Sequence, residues 1–384
     1  MSFLVAPKTD FQELTFNNLM TLVAGSNGEF LFQDHPIAGQ DNLVYRMFNY
    51  SLPGYMSFKQ PSAKQCRGSM FLLDKTTNQA QLIALPMDKF FSIGEGVGED
   101  LKFKVSDAKR AFIKEDGSLL TSYLCPFEKT VKLKSMSQPL YINAEIINKS
   151  VPDALAKELD ALAHDGICVD LELTTPENRV IIEYKDYKVT VIQARSILTG
   201  HKVDIRSDEF KHQYPNIAEH LVQEVAIEDV DLERSDIEGY VFELADGTLK
   251  KGKTIPYLSI VSVIKIQDFR KEAEYLYSAA INKVLDEVRS LFVYRAYSEN
   301  YDLEGKLAKA DKVEKYASET YNGFVTNLNR LFEENKHLDR REFATKLNKE
   351  KGFSIMMKLY SGEEVKPEDY KKEAIKLFAK KALD

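Results

Sequence analysis

Between about residues 30 and 260, apolar residues come in short runs separated by turn residues. The runs include SMFLLD at 69–74, QLIALP at 81–86, RVIIEY at 179–184, KVTVIQA at 188–194 and GYVFEL at 239–244. Runs of this length, bounded by turn signals, predict strands. Asp116-Gly117 and Asp246-Gly247 stand between such runs, and both dipeptides predict tight hairpins. Two helices are expected among the strands: 9–24, carrying Phe11, Leu14, Leu19 and Leu22, and 152–164, where Leu155, Leu159 and Leu162 recur at helical spacing. The pattern is that of an α+β unit on antiparallel sheet. After about residue 262 the strand pattern stops. Asp268 is a fitting N-cap, and Phe269, Ala273, Leu276, Ala280, Val284 and Val288 follow at steps of three or four. Further helices are expected over 304–334, 338–350 and 367–383, the last opening on Pro367 in its first turn. The chain therefore divides into a first domain over 1–260 and an all-α domain over 261–384, with a linker near 258–266.

Composition adds bounds to this picture. A chain of 384 residues suits two domains, and 44% hydrophobic with 29% charged residues is ordinary for a folded protein. No apolar stretch is long enough to predict a membrane span, and the start, MSFLVAPKTDFQEL, lacks the pattern of a signal peptide. Three cysteines, Cys66, Cys125 and Cys168, are odd in number and far apart, which predicts a reducing, cytoplasmic setting and neither a disulfide framework nor a zinc cluster. The six histidines show no metal-ligand spacing. The formal charge of −7 is uneven: residues 261–384 hold 24 Lys/Arg against 22 Asp/Glu, a balance of +2, so the first 260 residues carry −9. A polyanion bound by such a chain must be held by placed cations and not by a global field.

The candidate chemistry starts at RAFIKEDGSLLTSYL, residues 110–124, in which an apolar strand ends on Lys114. A lysine amine attacks an electrophile only when deprotonated, and neighbouring cations in a partly desolvated pocket favour that form. If the electrophile is the α-phosphorus of ATP, a lysyl-AMP phosphoramidate forms and pyrophosphate leaves. K-x-D-G alone is weak, arising by chance in roughly one chain in ten of this length. More cations come from DGTLKKGKTIPY, where Lys251 and Lys253 are two apart and share a strand face. Taken alone, that segment reads more simply as an exposed basic strand end. Glu172 in CVDLELTTP shares its face with Asp170, as on a solvated strand face. Glu238 in SDIEGYVFEL precedes Gly239, which either lets backbone approach a ligand closely or simply begins a strand. Near a triphosphate, a carboxylate serves as a ligand for a metal or its water, or as an acceptor for a ribose hydroxyl. Upstream, KQCRGSMFLLD carries Arg67, suited to forked recognition of phosphate, and PMDKFFSIGE carries Lys89 beside Phe90 and Phe91, of which at least one is expected in the core.

In order and at similar spacing, these segments resemble the phage RNA ligase 1 family, the tRNA-repair ligases of T-even phages, within the covalent nucleotidyltransferase superfamily. The likeness is carried by FQELTFNNLM near the start, CRG at 66–68, PMDKFF at 86–91, KEDGS at 114–118, PENR at 176–179, IEGYV at 237–241 and the lysines at 251 and 253. GFSIMMKLYSG at 352–362 resembles that family's helical C-terminal domain. The resemblance implies an antiparallel-sheet nucleotidyltransferase (adenylyltransferase) domain followed by an all-α domain that selects RNA. It implies Lys114 as the nucleophile and Lys251 and Lys253 as catalytic contacts to the α-phosphate. Arg67 and Lys89 would orient the β- and γ-phosphates. Asp116, Gly117 and Ser118 would shape the loop beside the nucleophile, and Tyr257 stands where the family also has a tyrosine. Glu172 would contact the ribose or a metal-bound water, and Glu238 would help hold the metal. The implied cofactors are ATP and Mg2+, with Mn2+ as a substitute. The implied reaction joins 5′-phosphate and 3′-hydroxyl RNA ends, as in a nicked tRNA anticodon loop, after an end-healing polynucleotide kinase/phosphatase, in the host cytoplasm for a phage-encoded chain.

Two positions depart from the pattern. KSMSQ puts Met136 where the family has a further lysine, leaving Lys134 or Lys132 to substitute. Lys250 takes the place of an apolar residue before Lys251. A DNA ligase or a capping guanylyltransferase shares K-x-D-G but normally carries a small β-barrel after the paired lysines, against which the helical last third argues. A non-catalytic nucleotide- or RNA-binding module would not need the lysine, both glutamates and the lysine pair together.

Overall fold

The structure, a computed structural model, describes residues 9–95, 103–177, 179–265, 272–295 and 302–384, with backbone alone at 262–265, 294 and 295. Asp268 and Phe269 lie outside the described residues. Helix α1 (Asp10–Gly25) opens with the Thr9 hydroxyl accepting from Gln12 N and buries Leu19 and Leu22. It packs on an antiparallel sheet of β1 (Phe30–Ile37), β2 (Gln40–Tyr50), β3 (Ser69–Asp74) and β4 (Ala80–Ala84). Both faces of β3 are buried. Phe71 and Leu73 meet α1's side, whereas Met70 and Leu72 face Tyr123, Cys125 and Cys168 of a second sheet. The three cysteines are buried and unpaired.

The chain continues through β5 (Phe91–Ser92), β6 (Arg110–Lys114), β7 (Ser118–Leu124), β8 (Val131–Lys134), α2 (Ala144–Ser150), α3 (Asp153–His164), β9 (Ile167–Thr174), β10 (Lys188–Ser196), β11 (Lys202–Val203), α4 (Asp208–Gln213), α5 (Pro215–Glu219), β12 (Glu224–Val225), β13 (Gly239–Glu243) and β14 (Leu249–Lys253). The second sheet runs β11-β10-β9-β7-β8, with Val169, Leu171 and Leu173 packed on Leu155, Leu159 and Leu162 of α3. The third runs β12-β6-β13-β14-β5, antiparallel except that β5 runs parallel to β14. Its inner face buries Ala111, Ile113, Tyr240 and Phe242.

Of three expectations about this part, one holds and two need correction. Asp246-Gly247 does close a hairpin: β13 pairs antiparallel with β14, and Gly247 takes φ +80°. Asp116-Gly117 does not. β6 pairs with β12 and β13, and β7 with β8 and β9, so this dipeptide carries the chain from one sheet to the other. RVIIEY is not a strand either. Its Ile181 and Ile182 N–H groups donate to Asp116 Oδ2, and Ile181 is buried in the core of the helical region.

The rest is helical: α6 (Ile255–Lys265), α7 (Glu272–Ile281), α8 (Leu285–Arg295), α9 (Leu303–Asn335), α10 (Arg340–Leu347), α11 (Phe353–Tyr360) and α12 (Pro367–Phe378). The linker expected near 258–266 is helical through Lys265. The run expected as one helix through Val288 breaks between α7 and α8, where Lys283 takes φ +61°. Leu276, Ala280, Val288, Leu307, Val313, Phe324, Phe343 and Met356 form one core centred on α9. The fold is thus α+β, antiparallel sheets followed by an all-α region. Among the described residues no helix is long and apolar enough to cross a membrane.

Candidate active site

A cavity of about 530 Å³ lies between the outer face of the third sheet and the second sheet. Period-two alternation decides what lines it. On β6, Ala111 and Ile113 point into the core, so Arg110, Phe112 and Lys114 face the cavity. On β9, Leu171 and Leu173 pack on the α3 side, which turns Glu172 to the cavity. Asp170, expected on a solvated face with Glu172, is instead buried and accepts from Thr121 Oγ1 (2.6 Å) and Met87 N (2.8 Å).

The residues singled out from the sequence fall into two groups. Arg67, Lys89, Lys114, Glu172, Glu238 and Lys251 line the cavity, and Phe90 lines it as well. Phe91 is in the core beside Tyr55 and Phe58. Lys253, Asp116, Gly117 and Tyr257 form the layer behind, and Ser118 opens β7. The register explains how the lysines converge. Gly239 of β13 sits between Lys114 and Lys253, its partners on the two sides. A Cβ on Gly239 would collide with Gly252 O and Lys253 Cα. Across this glycine, Glu238 accepts from Lys114 Nζ at 2.5 Å and pairs with Lys253 Nζ at 2.8 Å.

Gly117 marks the crossing between sheets. A Cβ there would run into Leu173 O, and the close passage lets Gly117 N–H donate to Glu172 Oε1 at 3.0 Å. Asp116 is buried. Its Oδ1 accepts from Tyr257 O–H (2.7 Å), and its own N–H donates to Tyr184 OH (2.9 Å). The loop after the lysine is therefore held from three sides. Lys89 lies 3.8 Å from Glu95 and over the Phe91 ring, and Arg67 Nη1 reaches Met87 O at 3.5 Å.

Burial sets the charge states. It pushes the Glu172 carboxyl up to about 7, with the Lys114 charge pulling down and the Glu238 charge pushing up. Glu238 is as deeply buried, but there the ammonium groups of Lys114 and Lys253 outweigh desolvation and hold it at about 2. Lys253 also donates to Glu287 Oε1 (2.6 Å), and Lys251 to Asp286 Oδ2 (2.7 Å). Desolvation works against both ammonium groups, yet these carboxylates raise both lysines above their usual range.

Some expectations stand apart from the cavity. Lys134, a suggested substitute at the Met136 departure, is fully buried and donates to Ser135 O, and desolvation lowers it to about 7. Lys132 pairs with Glu128. Neither lines the cavity. Arg179 of PENR pairs with Glu183 at the surface, and Asn178 lies outside the described residues. Lys250, the second departure, keeps β14 in register with both Phe242 and Phe91. Sequence reasoning missed Asp286, Glu287, Tyr184 and Glu95. An acidic pair in a helical run signals only a solvated turn, and the tyrosine belonged to a run read as a strand. Among the described residues no group of three or more His, Cys, Asp or Glu is placed to hold a metal. Glu172 faces the cavity as a carboxylate that a magnesium ion completed by phosphate oxygens would need, whereas both oxygens of Glu238 are taken by Lys114 and Lys253, so an ion there would have to displace an ammonium group.

No family model matches the chain. Among solved structures it is similar to an archaeal ATP-dependent RNA ligase, form 2 (TM-score 0.49, 11% identity, covering 95% of this chain and 95% of that one). It is also similar to a putative ATP-dependent DNA ligase from Aquifex aeolicus (0.43, 13%, 82% and 80%) and to a Naegleria gruberi RNA ligase with PPi (0.34, 11%, 60% and 97%). Two of these neighbours are named RNA ligases and the third a putative DNA ligase, and likeness at this level transfers no activity.

Proposed function

We propose that this chain is an ATP-dependent RNA ligase that carries AMP on Lys114. One observation supports the reading above all. Arg67, Lys89, Lys114, Glu172, Glu238 and Lys251, drawn from segments spread over half the chain, line a single cavity, with Lys253 bound to Glu238 behind it. Four cations around a carboxylate-held lysine amine suit attack on the phosphoanhydride of a nucleoside triphosphate.

In the first step Lys114 Nζ, its ammonium proton released to water, attacks the α-phosphorus of ATP, and the further N–H proton lost as the phosphoramidate forms leaves to water or with pyrophosphate. The N–P bond forms as the bond to pyrophosphate breaks. Glu238, 2.5 Å from Nζ, aims the amine. Lys251 and Lys253 balance charge at the α-phosphate, Arg67 and Lys89 hold the departing phosphates, and Glu172 accepts from the ribose. Magnesium, or manganese in its place, would be held by Glu172, and by Glu238 once an ammonium group is displaced, and would neutralise phosphate charge. AMP then passes from Lys114 to an RNA 5′-phosphate, and a 3′-hydroxyl displaces it to seal the strand.

The choice of RNA, and of a nicked tRNA loop within it, rests on the sequence resemblance and on the helical region after β14. We divide the chain near residue 260 into an adenylyltransferase domain and an RNA-selecting domain. Sealing needs 5′-phosphate and 3′-hydroxyl ends, so a kinase/phosphatase that heals ends is the fitting functional partner, and the host cytoplasm the fitting place.

Intact mass after mixing with ATP and magnesium tests the reading, alongside GTP, NAD and Lys114→Ala. An added AMP from ATP alone, absent in the variant, is expected. An adduct from GTP would make the chain a capping enzyme, and no adduct from protein shown to start free of AMP would refute the ligase. Sealing of nicked RNA against nicked DNA then tests the substrate.

A further inference from the structure

The two lysines expected to grip the α-phosphate are not aimed by their own domain alone. Lys253 sits between Glu238 (2.8 Å) and Glu287 (2.6 Å), with the Tyr257 ring 5.0 Å away. Lys251 donates to Asp286 (2.7 Å), whose carboxylate also accepts from Ser92 Oγ (3.1 Å). Asp286 and Glu287 belong to the first turn of α8, in the helical region, far along the chain from β14.

We propose that Asp286 and Glu287 are positioning residues of the ligase reaction, counter-charges through which the helical region aims Lys251 and Lys253 at the nucleotide. The inference rests on the ligase reading above. Free lysine side chains lose rotamer entropy when they are fixed, and a buried ammonium is strongly unfavourable without a paired carboxylate. Glu238 offers one oxygen to Lys114 and the other to Lys253. Glu287 gives Lys253 a second carboxylate and thereby keeps Glu238 available to the nucleophile.

α8 is itself fastened on two sides, as an aiming device must be. Ser290 Oγ donates to Ile93 O (3.3 Å), and Gly94, at φ +85°, lies so close that a Cβ would stand 2.7 Å from Val293 Cγ2. On the other side the buried guanidinium of Arg289 pairs with Asp311 (2.8 Å) and Glu314 (3.0 Å) of α9. The path from the helical core to the amines is therefore continuous: α9, Arg289, the first turn of α8, then Lys251 and Lys253.

The opposing possibility is that these carboxylates only obstruct, filling the lysines until phosphate displaces them. Single-turnover formation of lysyl-AMP by full-length protein separates the two, with thermal unfolding measured on each variant. For Glu287→Gln and Asp286→Asn the rate at saturating ATP should fall roughly 10–100-fold, with KM for ATP changed far less, as expected for amines misplaced by about 1 Å. Glu287→Asp, which keeps the charge, should recover part of the loss. Wild-type rates in both amide variants would overturn the inference, as would faster adenylylation at lower KM. So would a loss matched by the fraction of unfolded protein, which marks a purely structural role. If Glu287→Gln does not fold, Asp286→Asn decides. The absence of any adduct in the wild type would instead sink the ligase reading, and this inference with it.

Discussion

Glu172→Gln should make the nucleotide-free protein more stable while disabling it. The folded protein holds this carboxyl at about 7 against an ordinary 4.5, chiefly through burial. Between those values the folded chain binds a proton that the unfolded chain has released, so stability must fall as pH rises from 4.5 to 7 and stay low above 7. A displacement of that size corresponds to about 3 kcal/mol, and screening from the open cavity that Glu172 faces trims it to about 2 kcal/mol. Glutamine keeps an oxygen for Gly117 N–H and never ionises, so the variant escapes the cost. Thermal unfolding in EDTA across pH 4 to 8 measures this. For a domain of this size about 2 kcal/mol is a rise on the order of 5 °C. Wild type and variant should coincide near pH 4.5, diverge to pH 7 and run parallel above it. A difference that does not change with pH, or a wild type more stable at pH 8, would refute the reasoning that burial dominates at Glu172. In separate EDTA-free samples with ATP and magnesium, the variant should form lysyl-AMP at least tenfold more slowly.

Glu238→Gln should do the reverse. Its carboxyl is held at about 2, so its stabilising effect is present above 4.5 and lost as pH falls toward 2; the variant should lose on the order of 3 kcal/mol at pH 7 in denaturant unfolding, with the gap closing in acid. Tyr257→Phe removes the O–H donated to buried Asp116, and denaturant unfolding should show a loss of about 1–3 kcal/mol; no loss would mean that the Ile181 and Ile182 N–H groups suffice for Asp116. Gly117→Ala should slow lysyl-AMP formation at least tenfold, since its Cβ meets the Leu173 carbonyl and the crossing between sheets must shift. Gly247→Ala, at φ +80° in open space, should cost about 1 kcal/mol in thermal unfolding and leave the adenylylation rate unchanged.

Joining the chemistry to the helical region has a consequence for substrate sensing. Under the proposed function, an RNA that shifts α9 would act on Arg289 and hence on the first turn of α8, where Asp286 and Glu287 hold Lys251 and Lys253.

The sequence by itself determined whatever depends on short-range periodicity. Alternation along β6 put Lys114 on the face opposite Ala111 and Ile113, and the two-residue spacing of Lys251 and Lys253 put both amines on one side of β14. Helical spacing marked α3 and α9 within a residue or two, because an apolar stripe has no other use in a polar segment. Only the tertiary structure decided what depends on partners far along the chain. Asp116-Gly117 has the turn chemistry of a hairpin, but pairing is settled by which strands compete for each edge, and β13 and β9 outcompete the neighbours in sequence. RVIIEY has a strand's composition, but its apolar side chains were needed to dock the helical region and its N–H groups to hold Asp116. Lys283 gave no local sign of the break before α8, and an acidic first turn looks the same whether it meets water or two buried ammonium groups. Such choices are made by burial and by the field of distant charges, neither of which is written in a local window of sequence.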